Sequence, residues 1–424
     1  MTPAARLQAA IEILEELGST ALPADRFIRD WFRRRRYAGS KDRAATAQRV
    51  FDVLRHRYSF AWRMQNETPR GLVIGSLLHE GQSTEAIRAL LSGEGYGPPP
   101  LSECELYAIE SPRREPPPHV QGEYPPWLEP ELRRAFGDRL LDEMRALQSR
   151  APIDLRVNTL KAKRGDLLKQ LRAEGYDAQT TPHSPLGLRI PAGATGLDKT
   201  KLFESGAFEL QDEASQIAAL LVDAKPGTRV LDFAAGGGGK SLALAATMHN
   251  EGEILAFDDN STRMKPLAER AARAGATCIT IAETRGGPRW GNGKFDHVLV
   301  DAPCSGTGTW RRQPDLRWRL TPERLEAVKK AQAWLLDDGA RHTKPGGRLI
   351  YTTCSLLPCE NEDQIAAFLE RHSEFAILAA REIWRESVGA EPPPGMEQFF
   401  HATPLNTGTD GFFAAVLACS KQLS

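Results

Sequence analysis

Cysteine is scarce in this chain: six in 424 residues, at 104, 278, 304, 354, 359 and 419, with irregular intervals. Thiols so few and so spaced do not make a disulfide framework at this size, and they read as reduced thiols of a cytoplasmic protein. The N-terminus has no basic start followed by an apolar stretch of about 7–15 residues, the pattern of a secretory leader. Nor does any apolar run approach the roughly 20 residues of a membrane span. A soluble protein that is neither exported nor membrane-bound is expected. Lysine plus arginine equals aspartate plus glutamate, 55 each, so no whole-chain charge draws it to a polyanion. Cys354 and Cys359 have no histidine pair or further Cys-x-x-Cys to complete four ligands, and no metal site is expected.

Charge is nevertheless unevenly placed. Between Arg26 and Arg70 stand 13 lysines and arginines against four acids, Asp30, Asp42, Asp52 and Glu67. This is the footprint of a phosphate-binding face, or else of a solvated helix surface. In and around it, Leu7, Ala10, Ile11 and Leu14 before Gly18, then Ala47, Val50, Phe51 and Leu54, recur at helical spacing, and the apolar 71–78 stretch suits a buried helix. Residues 1–95 are expected to form an all-helical bundle. Prolines crowd 96–126, at 98–100, 112, 116–118, 125 and 126, which predicts an extended linker without regular helix. Residues 127–205 read as a small α+β module: strand propensity at 155–160, a helix at about 164–174, a short strand at 186–190.

From 206 to 424 strand and helix alternate, the signature of a doubly wound parallel sheet. Strands are expected at 229–233, 253–257, 278–281, 296–301 and 348–353, with helices at 239–248, 263–274, 323–343 and 360–372. A last, antiparallel strand is expected at 412–418. Two of these strands run into cysteine: Val298-Leu299-Val300 into Asp301-Ala302-Pro303-Cys304, and Leu349-Ile350-Tyr351 into Thr352-Thr353-Cys354-Ser355. Ligands of open α/β sheets bind at the carboxyl ends of the strands, so two thiols and a carboxylate are expected to meet at a substrate site. Taken singly, each cysteine reads as a small buried hydrophobe. Paired at two strand ends beside Asp301, they read as a site for a thiol nucleophile.

A third strand, Val230-Leu231-Asp232-Phe233, enters Ala234-Ala235-Gly236-Gly237-Gly238-Gly239-Lys240 and then a helix. The missing side chains let a ligand approach the backbone, and the helix start offers free N–H groups, although the spacing is not that of a Walker loop. Asp258, ending the next strand, stands where a carboxylate takes ribose hydroxyls, with Asp259 as its competitor. A solvated turn is the bland alternative for both.

In order, these motifs resemble the RsmB/Nol/Nop/Sun family, S-adenosylmethionine-dependent RNA 5-methylcytosine methyltransferases. The match rests on the loop ending Gly-Gly-Lys, strand-end Asp258, Asp301 to Gly308, Thr353-Cys354-Ser355 and Glu360-Asn361-Glu362. Gln211-Asp212-Glu213-Ala214-Ser215-Gln216 and Thr409-Asp410-Gly411-Phe412-Phe413 extend it over 206–418. Gly39-Ser40-Lys41-Asp42-Arg43, opening a helix, is similar to the NusB-like RNA-binding domain of bacterial ribosomal RNA members. The resemblance implies a Rossmann-like methyltransferase sheet, S-adenosyl-L-methionine as cofactor and RNA, above all small-subunit ribosomal RNA, as partner. It assigns attack on carbon 6 of cytosine to Cys354, release to Cys304, the base edge to Asp301, and Lys240 to the same base. Cofactor contacts fall to Ala234 through Lys240, Asp258 and Asp301.

Two departures stand out. The family loop reads Cys-Ala-Ala-Pro-Gly-Gly-Lys, whereas 234–240 has lost its cysteine and proline. On the third strand, where the family places an aspartate for the adenine, Ala282 holds the expected position and Glu283 follows it as the candidate. Trp310-Arg311-Arg312 and Arg317-Trp318-Arg319, with Trp31-Phe32-Arg33-Arg34-Arg35-Arg36, Arg156 and Asn158, are expected to meet RNA, mixing cations with aromatic faces. Packing of a surface loop is the bland reading of the first two. Asp212 and Glu213 read either as motif residues or as simple helix-start acids. Cys104, Cys278, Cys359 and Cys419 are taken as structural, and a monomer is expected. Transfer RNA is the nearest alternative substrate; a non-catalytic RNA-binding ribosome-assembly factor on this fold is the alternative class.

Overall fold

The computed structural model describes residues 1–35, 37–112, 115–286 and 290–420. Its contacts divide the chain into two compact units: Met1–Ser149 together with Trp310–Arg319, and Arg150–Thr309 together with Leu320–Ser424.

The first unit is helical. Helices Pro3–Leu17, Ser40–Arg55 and Pro69–His79 fall where the apolar spacing places them, and Leu7, Ile11, Leu14, Val50, Leu54, Leu72 and Ile74 enter one core with Trp31 and Phe60. Thr2 and Thr68 cap two of these helices by accepting the amides of Ala5 and Gly71. The expected linker is not free of helix. Glu103–Glu110 is helical, opened by a reciprocal cap in which Ser102 Oγ accepts the Glu105 amide and the Glu105 carboxylate accepts that of Ser102. The prolines flank this helix of about two turns instead of interrupting it. The unit therefore continues to Ser149, past both expected boundaries.

The basic stretch is largely compensated in space by acids outside its window. Arg35 pairs with Glu16, Arg49 with Glu80 and Arg70 with Glu105, and Arg63 donates to the carbonyls of Ala108 and Ile109. Arg33 and Arg34 are exposed, Trp31 and Phe32 are buried in the core, and Arg36 lies outside the described residues.

Residues Trp310–Arg319 correct the sequence reading. Trp310 and Arg317 have no exposure and Arg311 only 4%. Arg317 lies 4.6 Å from the Trp310 ring centre and donates to the Arg55 carbonyl at 3.1 Å, and burial pulls its guanidinium down to about 10. Trp318 Nε1 donates to the Leu54 carbonyl at 2.6 Å, and Asp315 accepts the Ala24 amide at the start of helix Ala24–Arg33. The mixture of arginine and tryptophan here is an anchor inside the helical unit, because planar cations and indoles pack as well against backbone carbonyls as against bases.

The second unit begins with a four-stranded antiparallel sheet in the order β2-β3-β1-β4, formed by β1 (Ile153–Val157), β2 (Gln179–Thr180), β3 (Gly187–Ile190) and β4 (Phe208–Leu210). Arg156 and Asn158 are buried in it, Asn158 donating to the carbonyls of Gly206 and Ala274, so neither offers a surface to RNA. The larger sheet contains β5 (Arg229–Phe233), β6 (Glu253–Phe257), β7 (Ile279–Ile281), β8 (Phe295–Asp301), β9 (Thr343–Thr353), β10 (Phe375–Leu378), β11 (Phe400–Ala402) and β12 (Phe412–Cys419). Its order is β10-β12-β9-β8-β5-β6-β7, parallel from β9 to β7, with β12 antiparallel beside β9. Successive strand residues feed two cores: Val230, Ile254, Leu299 and Ile350 on one face, Leu231, Leu255, Val298 and Leu349 on the other. Burial on both faces is why these strands read as continuous apolar runs. The expected helix at 263–274 is broken at Pro266 into Ser261–Met264 and Leu267–Ala274.

If the 310–319 segment is an anchor, Arg317→Ala should destabilise the helical unit by on the order of 2–3 kcal/mol, visible as a lowered melting temperature without RNA. Unchanged melting with weakened RNA binding alone would restore the RNA-contact reading.

Candidate active site

The strand order reverses between β5 and β8, and at that point the carboxyl ends of β5, β8 and β9 lie side by side. The β8–β9 ladder sets Asp301 opposite Thr352, and the Ala302 amide continues it by donating to the Thr352 carbonyl. Cys304 and Cys354 are thus delivered from neighbouring strands, and their sulfurs stand 3.3 Å apart, each partly exposed. A second bond between the loops runs from the Gly308 amide to the Cys354 carbonyl at 2.9 Å. Gly308 in turn exchanges a backbone bond with Gly411 at the start of β12, and a Cβ on Gly308 would collide with the Gly411 carbonyl. The Thr409-Asp410-Gly411 motif is therefore a backbone contact that closes the loop carrying Cys304.

Asp301 is held from two sides. Its Oδ1 accepts Thr352 Oγ1 at 2.9 Å and its Oδ2 pairs with Lys240 Nζ at 2.6 Å. Lys240, in the first turn of helix Gly239–Thr247, is only 7% exposed and lies 5.0 Å from the Phe412 ring centre. The thiols are inequivalent. Hydrogen bonding to Cys354, followed by burial, pushes the Cys304 thiol well above its ordinary value, so Cys304 stays protonated and can donate S–H to the Cys354 sulfur.

The glycine loop folds over the end of β6. The amides of Ala234 and Ala235 both donate to the Phe257 carbonyl, Ala234 at a φ of +80°. Gly238 also has positive φ, and a Cβ there would strike Leu267. Asp258, 7% exposed, accepts the Gly236 amide at 2.9 Å and the Asn260 amide at 2.8 Å, with Arg263 at 3.3 Å. Its competitor Asp259 is turned to solvent and pairs with Arg285. Glu283 is exposed beyond the end of β7. Beneath the loop lies Asp232, fully buried and bonded to Ser241 Oγ, its other oxygen without a partner. Burial, with the nearby carboxylates of Asp301 and Asp258, lifts Asp232 to about 6 against the Ser241 bond and Lys240.

Several residues that matter here had no role assigned from sequence, Glu360 and Thr352 appearing only within motifs. Glu360, without exposure, accepts the Ser305 amide at 2.8 Å, Gln332 Nε2 at 2.9 Å, and the hydroxyls of both Ser305 and Ser355. The sequence did carry a signal, a serine directly after each cysteine, whereas Thr352 and Gln332 carried none. Asp212 caps helix Glu213–Leu220 by accepting the Ala214 amide, and its second oxygen accepts the Asp410 amide. Glu213 is buried and accepts the amides of His183 and Ser184. In these contacts both acids hold backbone.

Comparison with known proteins gives this geometry a family. Residues 219–418 match the family described as 16S rRNA methyltransferase RsmB/F, and residues 124–195 match the RsmF/B-like ferredoxin-like domain. The probable ribosomal RNA small subunit methyltransferase B of Bacillus subtilis is 33% identical over 311 residues, covering 72% of this chain and 68% of that protein. Ribosomal RNA small subunit methyltransferase B of Photorhabdus laumondii is 33% identical over 298 residues, covering 69% and 66% respectively. The chain thus spans about two thirds of the length of these relatives. The crystal structure of PH0851 aligns over 98% of this chain and 99% of its own, at 28% identity and a TM-score of 0.78. The chain belongs to the RsmB/F family of rRNA methyltransferases. Its larger unit has the doubly wound, Rossmann-like methyltransferase sheet, preceded by the ferredoxin-like module.

The unequal thiols predict an order of modification. Under limiting iodoacetamide near neutral pH, peptide masses should show Cys354 alkylated before Cys304; the reverse order would place the shared proton on the other sulfur.

Proposed function

We propose that this protein transfers a methyl group from S-adenosyl-L-methionine to carbon 5 of a cytosine in small-subunit ribosomal RNA, through a transient bond from Cys354 to carbon 6. The observation that carries this is the thiol pair at 3.3 Å, set beside Asp301 and Lys240 at the switch point of the sheet.

Carbon 5 of cytosine is too weak a nucleophile to take a methyl group directly. As the Cys354 sulfur bonds to carbon 6, the carbon 5–carbon 6 π pair becomes available at carbon 5, which then forms the new carbon–methyl bond. Bound S-adenosyl-L-methionine supplies an electrophilic methyl whose sulfonium keeps the electron pair on departure. Asp301 holds the nitrogen 3 and exocyclic amine edge and shares a proton there while Lys240 neutralises the carboxylate and steadies the developing charge. A water molecule then takes the carbon 5 proton, the π bond re-forms, and its formation expels the Cys354 sulfur with the bonding pair, a departure that Cys304 assists by donating its S–H to the leaving sulfur.

The cofactor's ribose falls to Asp258 and not to the solvent-turned Asp259. The backbone of Ala234, Ala235, Gly236, Gly237, Gly238 and Gly239 forms the cradle, with Lys240 and Asp301 toward the reacting end. Support for this fit is the glycine loop itself: Asp258 already ties Gly236 beneath it, and the buried Asp232 of the strand that enters the loop keeps one oxygen without a partner. Loss of the family's cysteine and proline leaves these backbone donors in place. Glu283 remains the candidate for the adenine, on its position after β7.

The RNA must present its cytosine unpaired or flipped, since the sulfur approaches across the ring face. The NusB-like helical unit is assigned as an RNA-binding domain, with Arg26, Arg29, Arg33, Arg34 and Lys41 exposed in the basic stretch. A cytoplasmic monomer fits this role, and among the described residues no helix is long and apolar enough to cross a membrane. A non-catalytic assembly factor would have no use for two thiols in contact.

Cys354→Ala should abolish methyl transfer while RNA binding persists, and undiminished turnover would eliminate the thiol mechanism. Cys304→Ala should accumulate a protein–RNA adduct on denaturing gels; a gel without that species removes Cys304 from release. Bisulfite mapping of ribosomal RNA from cells with and without the protein then identifies the nucleotide, and an unchanged small-subunit map would move the substrate to transfer RNA.

A further inference from the structure

Both cysteine motifs continue into serine, Cys304-Ser305 and Cys354-Ser355, and both serines bond to the same carboxylate. Glu360 Oε1 accepts the Ser305 amide, and its Oε2 accepts the hydroxyls of both Ser305 and Ser355. Gln332, from helix Pro322–His342, donates to that carboxylate and also to the Pro303 carbonyl, one residue ahead of Cys304. The two serine hydroxyls lie 3.2 Å apart, and Thr307 Oγ1 joins them while accepting the Leu356 amide. Glu360 is itself fixed: Tyr351 donates to its carbonyl at 2.7 Å, and the next residue, Asn361, bonds both Thr353 Oγ1 and the Ser355 carbonyl. A carboxylate buried from solvent needs hydrogen-bond donors to offset its lost hydration, and these supply them.

We propose that Glu360 is a positioning residue of the thiol site: by gripping the serine behind each cysteine it fixes the separation and facing of the two sulfurs. This rests on the thiol reading of the site given above. Strand pairing alone brings the two loops to neighbouring strand ends, but both cysteines lie past the last paired residues, Asp301 and Thr352. Beyond them, the shared carboxylate links both loops, together with the Ser305, Thr307 and Ser355 hydroxyls that bond across them. Its charge has a second consequence, since a nearby anion disfavours a thiolate. Glu360 adds to the effect of Cys354 and burial in keeping Cys304 a thiol. Tyr351 of β9, held well above its ordinary value by burial, and the buried Cys359 also face this cluster, while the Lys240–Asp301 pair occupies the adjoining strand ends.

The test compares Glu360→Gln and Ser355→Ala with the wild-type chain in thermal melting, in alkylation of each cysteine against pH by peptide mass, and in methyl-transfer kinetics. Glutamine keeps the shape and removes the charge. The midpoint of Cys304 alkylation should fall by about one pH unit or more. The kcat should drop roughly tenfold or more with KM for RNA little changed, because positioning acts on the bound complex. Ser355→Ala releases one loop only, so Cys354 should alkylate at an altered rate while Cys304 keeps its pH midpoint within a few tenths; this variant decides the matter if Glu360→Gln does not fold. Wild-type alkylation profiles in whichever variants fold would overturn the proposal, as would a kcat loss that merely follows the melting temperature. Alkylation is read without RNA, so the clamp and the cytosine mechanism fail separately: a Cys354→Ala protein that still methylates removes the mechanism and leaves the alkylation result standing.

Discussion

The whole site depends on β8 and β9 running parallel and in register. Parallel pairing puts both carboxyl ends on one edge, and the register that opposes Asp301 to Thr352 brings the following residues of each strand out together. A cysteine three positions past Asp301 then meets a cysteine two past Thr352, and a thiol pair arises from residues fifty apart in the chain. Everything else at this edge serves to hold that meeting. Gly308 and Gly411 allow the backbones of the Cys304 loop and β12 to touch, Glu360 joins the serines, and Thr352 and Lys240 hold Asp301 from two sides.

Electrostatics then distinguishes groups that the sequence leaves equivalent. Of two partly exposed cysteines, Cys304, bonded to Cys354 and close to Glu360, has its thiol raised well above the ordinary value. Two consecutive aspartates after β6 separate in the same way. One turns inward under the glycine loop and takes its amides; the other turns out to an arginine. Asp232, beneath them, is pushed to about 6 by a burial that no single neighbour offsets. Buried charge near a ligand cradle is characteristic of functional sites, since a scaffold built only for stability would replace it with apolar packing.

The helical unit teaches a different lesson about arginine. From Arg26 to Arg70 the local excess of positive charge is large, yet Arg35, Arg49 and Arg70 each find an acid from another helix, and Arg55 and Arg317 are drawn into the interior. Charge counted along a chain overestimates charge displayed on a surface whenever helices fold back on one another. The ten residues Trp310–Arg319 are the sharpest case, belonging by sequence to the larger unit and by packing to the helical one.

Local chemistry made much of this protein legible before folding was considered. The limits of β5 and β6 follow from the mostly apolar runs Val230-Leu231-Asp232-Phe233 and Ile254-Leu255-Ala256-Phe257, because strands buried on both faces are largely apolar. The thiols, Asp301, Lys240 and the glycine loop were readable because each ends or follows such a strand. The helix at Glu103–Glu110 was missed because proline density outweighed a capping box of two residues, and the anchor role of Arg317 because burial is invisible in a basic motif. Which aspartate faces the loop, which sulfur keeps the proton and what joins the two cysteines required tertiary structure. Each of these depends on distances between residues far apart in sequence, and only the packed sheet sets such distances.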